Sequence, residues 1–63
     1  MSYSDNIKKL RERLILSQKE LADLLGVSYV TVCRWETGKF DPTIKMRRKL
    51  QELFLKNDIR GNQ

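Results

Sequence analysis

One glycine, Gly26, separates two short segments whose apolar residues recur at helical spacing. Leu21 and Leu25 lie four positions apart before it, and Val32 and Trp35 lie three positions apart after it. Residues three or four positions apart share one face of an α-helix. Glycine also adopts the positive φ at which many helices end. The pattern therefore predicts two short helices that meet through a tight turn and pack their apolar faces together.

Both predicted helices carry a recognisable start signal. Ser17 and Glu20 have the spacing of a capping box, in which each side chain bonds the backbone N–H of the other residue. Ser28 stands in the equivalent capping position after the glycine. These signals place the two helices at residues 18–25 and 29–36.

Another helix is predicted before this pair. Ile7, Leu10 and Leu14 share one apolar face, and Ser4 precedes them as the expected N-cap. Arg11 follows Ile7 by four positions and therefore lies on the apolar face, where a guanidinium group needs a partner.

The last helix is predicted after Gly38, which we expect to end the third helix with a positive φ. Pro42 or Thr43 opens it, and its apolar pattern continues unbroken for about three turns. We therefore expect one folded domain over residues 1–56 and a frayed polar tail over residues 57–63.

Four short strings carry a resemblance to a known family: Ser17-Gln-Lys-Glu-Leu-Ala, Leu25-Gly-Val-Ser28, Trp35-Glu-Thr-Gly-Lys39 and Pro42. They resemble the helix-turn-helix of the Cro/cI-type (lambda-repressor-like, Xre) regulators, over roughly residues 4–55. The resemblance implies an all-α fold, a compact bundle of four or five helices that binds operator DNA, usually as a dimer. The family often has two short helices after the proline, whereas this sequence predicts one continuous helix.

The helical wheel of residues 29–36 indicates which side chains can read DNA bases in the major groove. Ser28, Val32 and Trp35 cluster on one side, which must face the core. The candidate base-reading residues on the remaining surface are Tyr29, Val30, Thr31 and Arg34. Arg34 can donate to O6 and N7 of guanine, and its alternative role is a phosphate contact. For Val30 the alternative is an exposed residue that only stiffens the helix.

Phosphate contacts are expected around this helix. The candidates are Gln18, Ser28, Thr37, Lys39 and Arg11. Gln18 begins a helix whose free N–H groups can meet a phosphate, and the family uses this position in that way. The resemblance also pairs Arg11 with Glu36; the alternative is an exposed arginine that covers apolar surface with its stem. One or two further contacts are expected from Lys45, Arg47, Arg48 and Lys49.

The net charge of +5 and the absence of histidine limit the classes of function. Cations concentrate in residues 39–49, whereas residues 17–38 are close to neutral, which suits phosphate contacts around a base-reading helix. The chain has no histidine, no cysteine pair and no glycine-rich phosphate loop, so we expect no enzyme, no metal site and no cofactor. A single cysteine, Cys33, fits a reducing cytoplasm, and a redox switch is disfavoured because no second cysteine is present.

We therefore expect sequence-specific binding of double-stranded DNA by a small transcriptional regulator, a repressor, in the cytoplasm and nucleoid of a bacterium or phage-infected cell. The alternative is an antitoxin-type or protein-interaction module that uses the same fold to bind a partner protein. No membrane-spanning segment and no small-molecule effector is evident.

The last helix has a second apolar face that suggests self-association. Met46, Leu50, Leu53 and Phe54 are expected to seal the core. Ile44 and Leu55 fall nearly opposite them, eleven residues or about three turns apart. We expect a weak homodimer that forms mainly on DNA, with Ile44 packed under the preceding loop and Leu55 simply exposed as the alternative.

Overall fold

The computed structural model describes residues 3–59, and this part of the chain forms four α-helices without a strand. The helices are α1, Tyr3–Leu14; α2, Gln18–Leu25; α3, Tyr29–Glu36; and α4, Ile44–Lys56. The prediction of an all-α, four-helix fold is confirmed for the described residues, and the bounds of α2 and α3 are those that their caps predict. No helix within residues 3–59 has the length and apolar character needed to cross a membrane.

Side-chain caps set where α2, α3 and α4 begin. The Ser17 hydroxyl accepts the Glu20 N–H at 3.1 Å, and the Ser17 N–H donates to Glu20 Oε1 at 2.9 Å. The hydrogen bond from the Ser17 N–H, with a smaller contribution from the Ser17 hydroxyl, lowers the pKa of the Glu20 carboxyl by favouring its charged form. This cap therefore stabilises α2 at neutral pH and weakens as the pH falls through the lowered pKa. Ser28 and Thr43 cap α3 and α4 through their hydroxyl oxygens.

Each of the four helices is followed within two positions by a residue with positive φ: Ile15 at 57°, Gly26 at 75°, Gly38 at 80° and Asp58 at 57°. In each case the next residue's N–H returns to a carbonyl of the last helical turn, as in a Schellman motif. Ile15 is the unusual member, because a β-branched side chain is disfavoured in this conformation by about 1–2 kcal/mol. Its side chain is 88% exposed, so packing does not offset that cost.

The core lies where the four helices meet. α2 packs mainly on α3, while α1 packs on both α3 and α4. The buried apolar residues are Ile7, Leu10, Leu21, Ala22, Leu25, Val32, Trp35, Leu50, Phe54 and Ile59. Met46 and Leu53 of α4 pack against this cluster from its edge, as predicted. The arrangement places α3 with one face in the core and the other toward solvent.

The folded part of the chain extends beyond α4. Ile59 is 4% exposed, and its N–H donates to the carbonyl oxygen of Phe54 at 2.7 Å. The carbonyl oxygen of Asn57 accepts from Arg13 Nη1 at 2.7 Å. The prediction of a frayed tail is therefore wrong for residues 57–59. Burial of the Ile59 side chain stabilises this segment despite its polar composition. Residues 60–63 of that predicted tail lie outside the described residues.

The start of α1 also differs from the prediction. Ser4 lies within the first turn of the helix rather than before it, because α1 already includes Tyr3. Its hydroxyl donates to the carbonyl oxygen of Glu36 at 2.7 Å. Ser4 is therefore not the N-cap; it fastens the first turn of α1 to the last residue of α3.

Candidate DNA-binding face

Helix α3 presents one buried and one exposed side. Val32 and Trp35 are 0% and 5% exposed, so they anchor the helix in the core. Tyr29 and Val30 are 52% and 51% exposed, and Arg34 is exposed as well. Three of the predicted base-reading residues therefore share an accessible surface, which a helix must have to enter a DNA groove.

The fourth predicted base-reading residue, Thr31, is less accessible than the other three. Its backbone N–H donates to Ser28 Oγ at 3.2 Å, and its hydroxyl lies 2.8 Å from the same oxygen. Thr31 is only half-buried, but its hydroxyl is already engaged at the N-terminus of α3. Ser28, a predicted phosphate-binding residue, is engaged by the same contacts.

Gln18 bridges the start of α2 to the far end of α3. Its Nε2 donates to Glu36 Oε1 at 2.9 Å, and its Oε1 accepts from the Cys33 thiol at 3.5 Å. These two contacts fix the orientation of the amide and leave its second N–H hydrogen available as a donor. The structure thus holds Gln18 beside α3 with a donor to spare.

The structure brings Arg11 and Glu36 together, as the resemblance implies. Arg11 Nε donates to Glu36 Oε2 at 2.7 Å, and Arg11 Nη2 donates to Glu36 Oε1 at 3.3 Å. Arg11 Nη1 also donates to the carbonyl oxygen of Leu16 at 3.2 Å. The Arg11 side chain is 23% exposed and that of Glu36 4%. The hydrogen bond to Glu36, partly opposed by desolvation, raises the pKa of Arg11.

Cys33 lies on α3 one turn after Tyr29. A hydrogen bond with the neighbouring Cys33 side chain is the main cause that raises the pKa of Tyr29. The Tyr29 hydroxyl therefore keeps its proton at neutral pH and can donate to an acceptor.

The loop after α3 is tied back to that helix. The Thr37 hydroxyl donates to the carbonyl oxygen of Arg34 at 3.1 Å, and the Lys39 N–H donates to the same oxygen at 3.1 Å. Both side chains are exposed, as a phosphate contact requires. Lys39 can reach a phosphate directly, whereas the Thr37 hydroxyl must first turn away from Arg34.

Sequence reasoning missed one residue of this surface, Phe40. The Arg34 guanidinium carbon lies over the Phe40 ring, 5.4 Å from the ring centroid, and Phe40 is 57% exposed. The signal was present in the sequence, because Phe40 is the one aromatic residue in the otherwise polar segment 37–42. Its contact with Arg34 depends on the path of the loop, which the sequence pattern does not specify.

The basic residues of α4 divide into two groups. Arg47 donates through Nε to the carbonyl oxygen of Pro42 at 2.9 Å and lies over the Tyr3 ring at 5.4 Å. Lys49 donates to the carbonyl oxygen of Leu25 at 3.2 Å, where its charge also favours the C-terminus of α2. Lys45 and Arg48 are exposed. The two engaged side chains serve the fold, so Lys45 and Arg48 remain as candidates for DNA contacts.

Two further observations concern other kinds of site. Within residues 3–59, no three histidine, cysteine, aspartate or glutamate residues come together as metal ligands. A groove of about 600 Å³ lies between the end of α2 and α4. Lys45, Lys49 and Glu52 are the charged residues along this groove.

Comparison with known proteins is consistent with this geometry. A helix-turn-helix family model matches residues 7–54. The chain is 38% identical over 50 residues to an uncharacterised HTH-type transcriptional regulator of Methanocaldococcus jannaschii, covering 79% of the chain and 76% of that protein. It is 30% identical over 54 residues to the HTH-type transcriptional activator BcrR of Enterococcus faecalis, covering 86% of the chain and 26% of that protein.

One similar protein is an enzyme. The chain is 52% identical over 40 residues to the type II methyltransferase M.SsoII of Shigella sonnei, covering 59% of the chain but only 11% of that protein. No solved structure matches the chain significantly. The family match, the regulators and the exposed side of α3 together support DNA binding and regulation. The chain belongs to the Cro/cI-type (Xre) family of helix-turn-helix transcriptional regulators.

Proposed function

We propose that this protein binds a specific double-stranded DNA operator by inserting α3 into the major groove, and that it acts there as a repressor. The observation that carries the proposal is the exposed side of α3, where Tyr29, Val30 and Arg34 stand out from a helix anchored by buried residues. A groove-reading helix needs this combination of a rigid base and free polar side chains. Repression requires no more than occupancy of a site that other proteins need.

The contacts divide by role. Tyr29, Val30, Thr31 and Arg34 read bases, with the two donors of Arg34 suited to guanine. The residues around this base-reading set bind phosphates of the DNA backbone: Gln18, Ser28, Thr37, Lys39 and Arg11. Gln18 and Lys39 are the strongest of these, since Gln18 keeps a free amide hydrogen and Lys39 is exposed. Three of the five N–H donors of Arg11 form hydrogen bonds within the protein. The side chain is 23% exposed, so the other two donors remain for a phosphate.

The charges of the described residues favour this orientation. Glu36 is buried against Arg11, and Glu20 is occupied in the capping box of α2. Glu36 is thus paired with a cation within the protein, whereas Glu20 keeps its charge in the capping box. At the end of α3, a DNA backbone therefore meets the exposed Lys39 rather than an unpaired Glu36 carboxylate. We propose that the protein works in the cytoplasm, at the nucleoid of a bacterium or on phage DNA, without enzymatic activity.

Replacement of Arg34 by alanine tests the base-reading assignment. We expect Arg34→Ala to weaken binding to the preferred site by about 1–3 kcal/mol and to relax the preference at one base pair. The measurement is selection of bound sites from random duplex DNA, followed by titration of the selected site.

The matched control is Lys39→Ala, which also removes one exposed cation. We expect it to weaken all sequences alike and to make binding less dependent on salt, because a phosphate contact carries no base information. An unchanged selected site in Arg34→Ala would show that Arg34 does not read a base. Failure of the wild-type protein to select any site would contradict the proposed function itself.

We further propose that two copies bind one operator through a face of α4. Ile44 and Leu55 are 67% and 66% exposed, and they lie on the same side of α4, about three turns apart. One recognition helix contacts too few base pairs to select a site in a genome. A two-fold operator with half-sites about 34–36 Å apart would supply the missing specificity. So small a contact is expected to be weak, so the dimer forms mainly on DNA.

Leu55→Glu tests this interface. We expect wild type to place two copies cooperatively on a palindromic operator, and Leu55→Glu to abolish that cooperativity while single half-site binding persists. Sedimentation of the free protein and of the complex measures the stoichiometry. Leu24→Glu makes the same change at a 52% exposed leucine of α2 and is expected to leave assembly unchanged. Unchanged cooperativity in Leu55→Glu would place the interface elsewhere.

A further inference from the structure

Phe40 is an exposed aromatic side chain that contacts a predicted base-reading residue, Arg34. The Arg34 guanidinium carbon lies 5.4 Å from the centroid of the Phe40 ring, within the range of a cation–π contact. Phe40 itself is 57% exposed, so the ring is not buried in the core. A single exposed phenylalanine is common. The position of this ring beneath the guanidinium group is what needs an explanation.

The loop that carries Phe40 is fixed at both ends. At its start, Gly38 has a φ of 80°, and the Lys39 N–H is bonded to the carbonyl oxygen of Arg34 at 3.1 Å. At its end, Pro42 is fully buried, and its carbonyl oxygen accepts from Arg47 Nε at 2.9 Å. A short segment held at both ends restricts where the backbone can place Phe40. The loop therefore presents the ring beside the end of α3, in contact with Arg34.

The contact also leaves the hydrogen-bonding capacity of Arg34 intact. Among residues 3–59, the Arg34 guanidinium has no hydrogen-bond or ion-pair partner. A ring contact uses none of its five N–H donors, so all of them remain for a base. A free arginine side chain loses conformational entropy when it is ordered in a groove. Contact with Phe40 before binding reduces that loss, which is the usual benefit of preorganisation.

We propose that Phe40 is a positioning residue for base readout: its ring holds the Arg34 guanidinium at the C-terminal end of α3, ready to bond one guanine. The inference rests on the proposed function, because it assigns Phe40 a part in the specificity of the same DNA-binding face. It predicts that Phe40 affects discrimination at the base pair read by Arg34 and leaves the others unaffected.

The test compares five proteins on four duplexes. The duplexes are the site selected by wild type and its three variants at the base pair that Arg34→Ala relaxes. The proteins are wild type, Arg34→Ala, Phe40→Ala, Phe40→Tyr and the double variant Phe40→Ala/Arg34→Ala. We expect Phe40→Ala to reduce discrimination at this pair about two- to fivefold, the range of an exposed cation–π contact. Phe40→Tyr keeps an aromatic ring and is expected to retain wild-type discrimination.

The double variant separates positioning from a direct contact. If Phe40 acts through Arg34, its removal changes nothing further at this base pair once Arg34 is already alanine. Thermal melts of Phe40→Ala and Lys39→Ala should resemble that of wild type, since both side chains are exposed.

Four results would overturn the proposal. Three concern Phe40: unchanged discrimination in Phe40→Ala, equal weakening on all four duplexes, or a further loss in the double variant relative to Arg34→Ala. The fourth is that Arg34→Ala relaxes no base pair, because Phe40 then has no base contact to position. Failure of wild type to select a site would instead overturn the proposed function. The loss of Phe40's effect alone leaves that function standing.

Discussion

Trp35→Ala is expected to unfold the protein at or near room temperature. Trp35 is 5% exposed and lies in the core cluster formed by all four helices. Truncation of a buried tryptophan costs about 3–5 kcal/mol. A domain of 63 residues has a total free energy of unfolding of only about 3–9 kcal/mol, at the usual value per residue. One substitution can therefore remove most of the available stability.

Thermal melts followed by far-ultraviolet circular dichroism measure this effect, because Trp35 is the chain's one tryptophan and its fluorescence is lost in the variant. Trp35→Phe is the matched control: it keeps an aromatic ring in the core and is expected to melt well above Trp35→Ala. DNA binding should fail in Trp35→Ala wherever the helical signal has been lost. A Trp35→Ala melt within a few degrees of wild type would contradict the central place given to Trp35 in the core.

The helix-turn-helix was predictable because its signals are local. Ser17, Glu20 and Ser28 act on backbone N–H groups within three residues, so their effect can be read from spacing alone. Gly26 likewise ends α2 by its own conformational freedom. These interactions do not depend on the rest of the fold, which is why the bounds of α2 and α3 agree with the prediction.

The errors arose where distant parts of the chain decide the outcome. Ser4 looks like an N-cap locally, but its hydroxyl bonds Glu36, thirty-two residues away. Ile59 sits in a polar segment, but the core reaches it through the turn after α4. Tertiary contacts settle both positions, and the spacing of residues in a single sequence carries no information on them. The positive φ of Ile15 was not predicted, because neither glycine nor asparagine stands there to indicate it.

The candidate site shows the same division. The exposed side of α3 followed from helical geometry, because Tyr29, Val30 and Arg34 lie away from the core positions. Contacts between elements did not follow. Spacing showed only that Arg11 needs a partner, and the resemblance supplied Glu36. The Cys33–Gln18 and Arg34–Phe40 contacts require the relative placement of α2, α3 and the loop, which no periodicity gives.

Arg11→Ala is expected to destabilise the fold by about 3 kcal/mol, the low end of the range for breaking a buried ion pair. The reason is that the substitution leaves a buried carboxylate without its cation. Glu36 is 4% exposed and loses two hydrogen-bond donors, so that only Gln18 Nε2, at 2.9 Å, still donates to it. The carbonyl oxygen of Leu16 also loses its arginine donor. Because Arg11 is 23% exposed, water can enter in its place and keeps the loss toward the lower end.

The order of effects among variants distinguishes a stranded carboxylate from simple loss of packing. Glu36→Gln removes the charge but keeps an oxygen for Arg11, so it should cost about 1–2 kcal/mol, as an altered hydrogen bond does. The double variant Arg11→Met/Glu36→Leu leaves no charge unpaired and should be more stable than Arg11→Ala, since apolar replacement of a buried pair is often neutral. Urea unfolding of all three gives the free energies directly. If Arg11→Ala and the double variant are equally unstable, the arginine stem rather than its charge holds α1 against α3. If Arg11→Ala melts like wild type, the pair contributes nothing to the fold, and the position of Arg11 would have to be explained by its proposed phosphate contact alone.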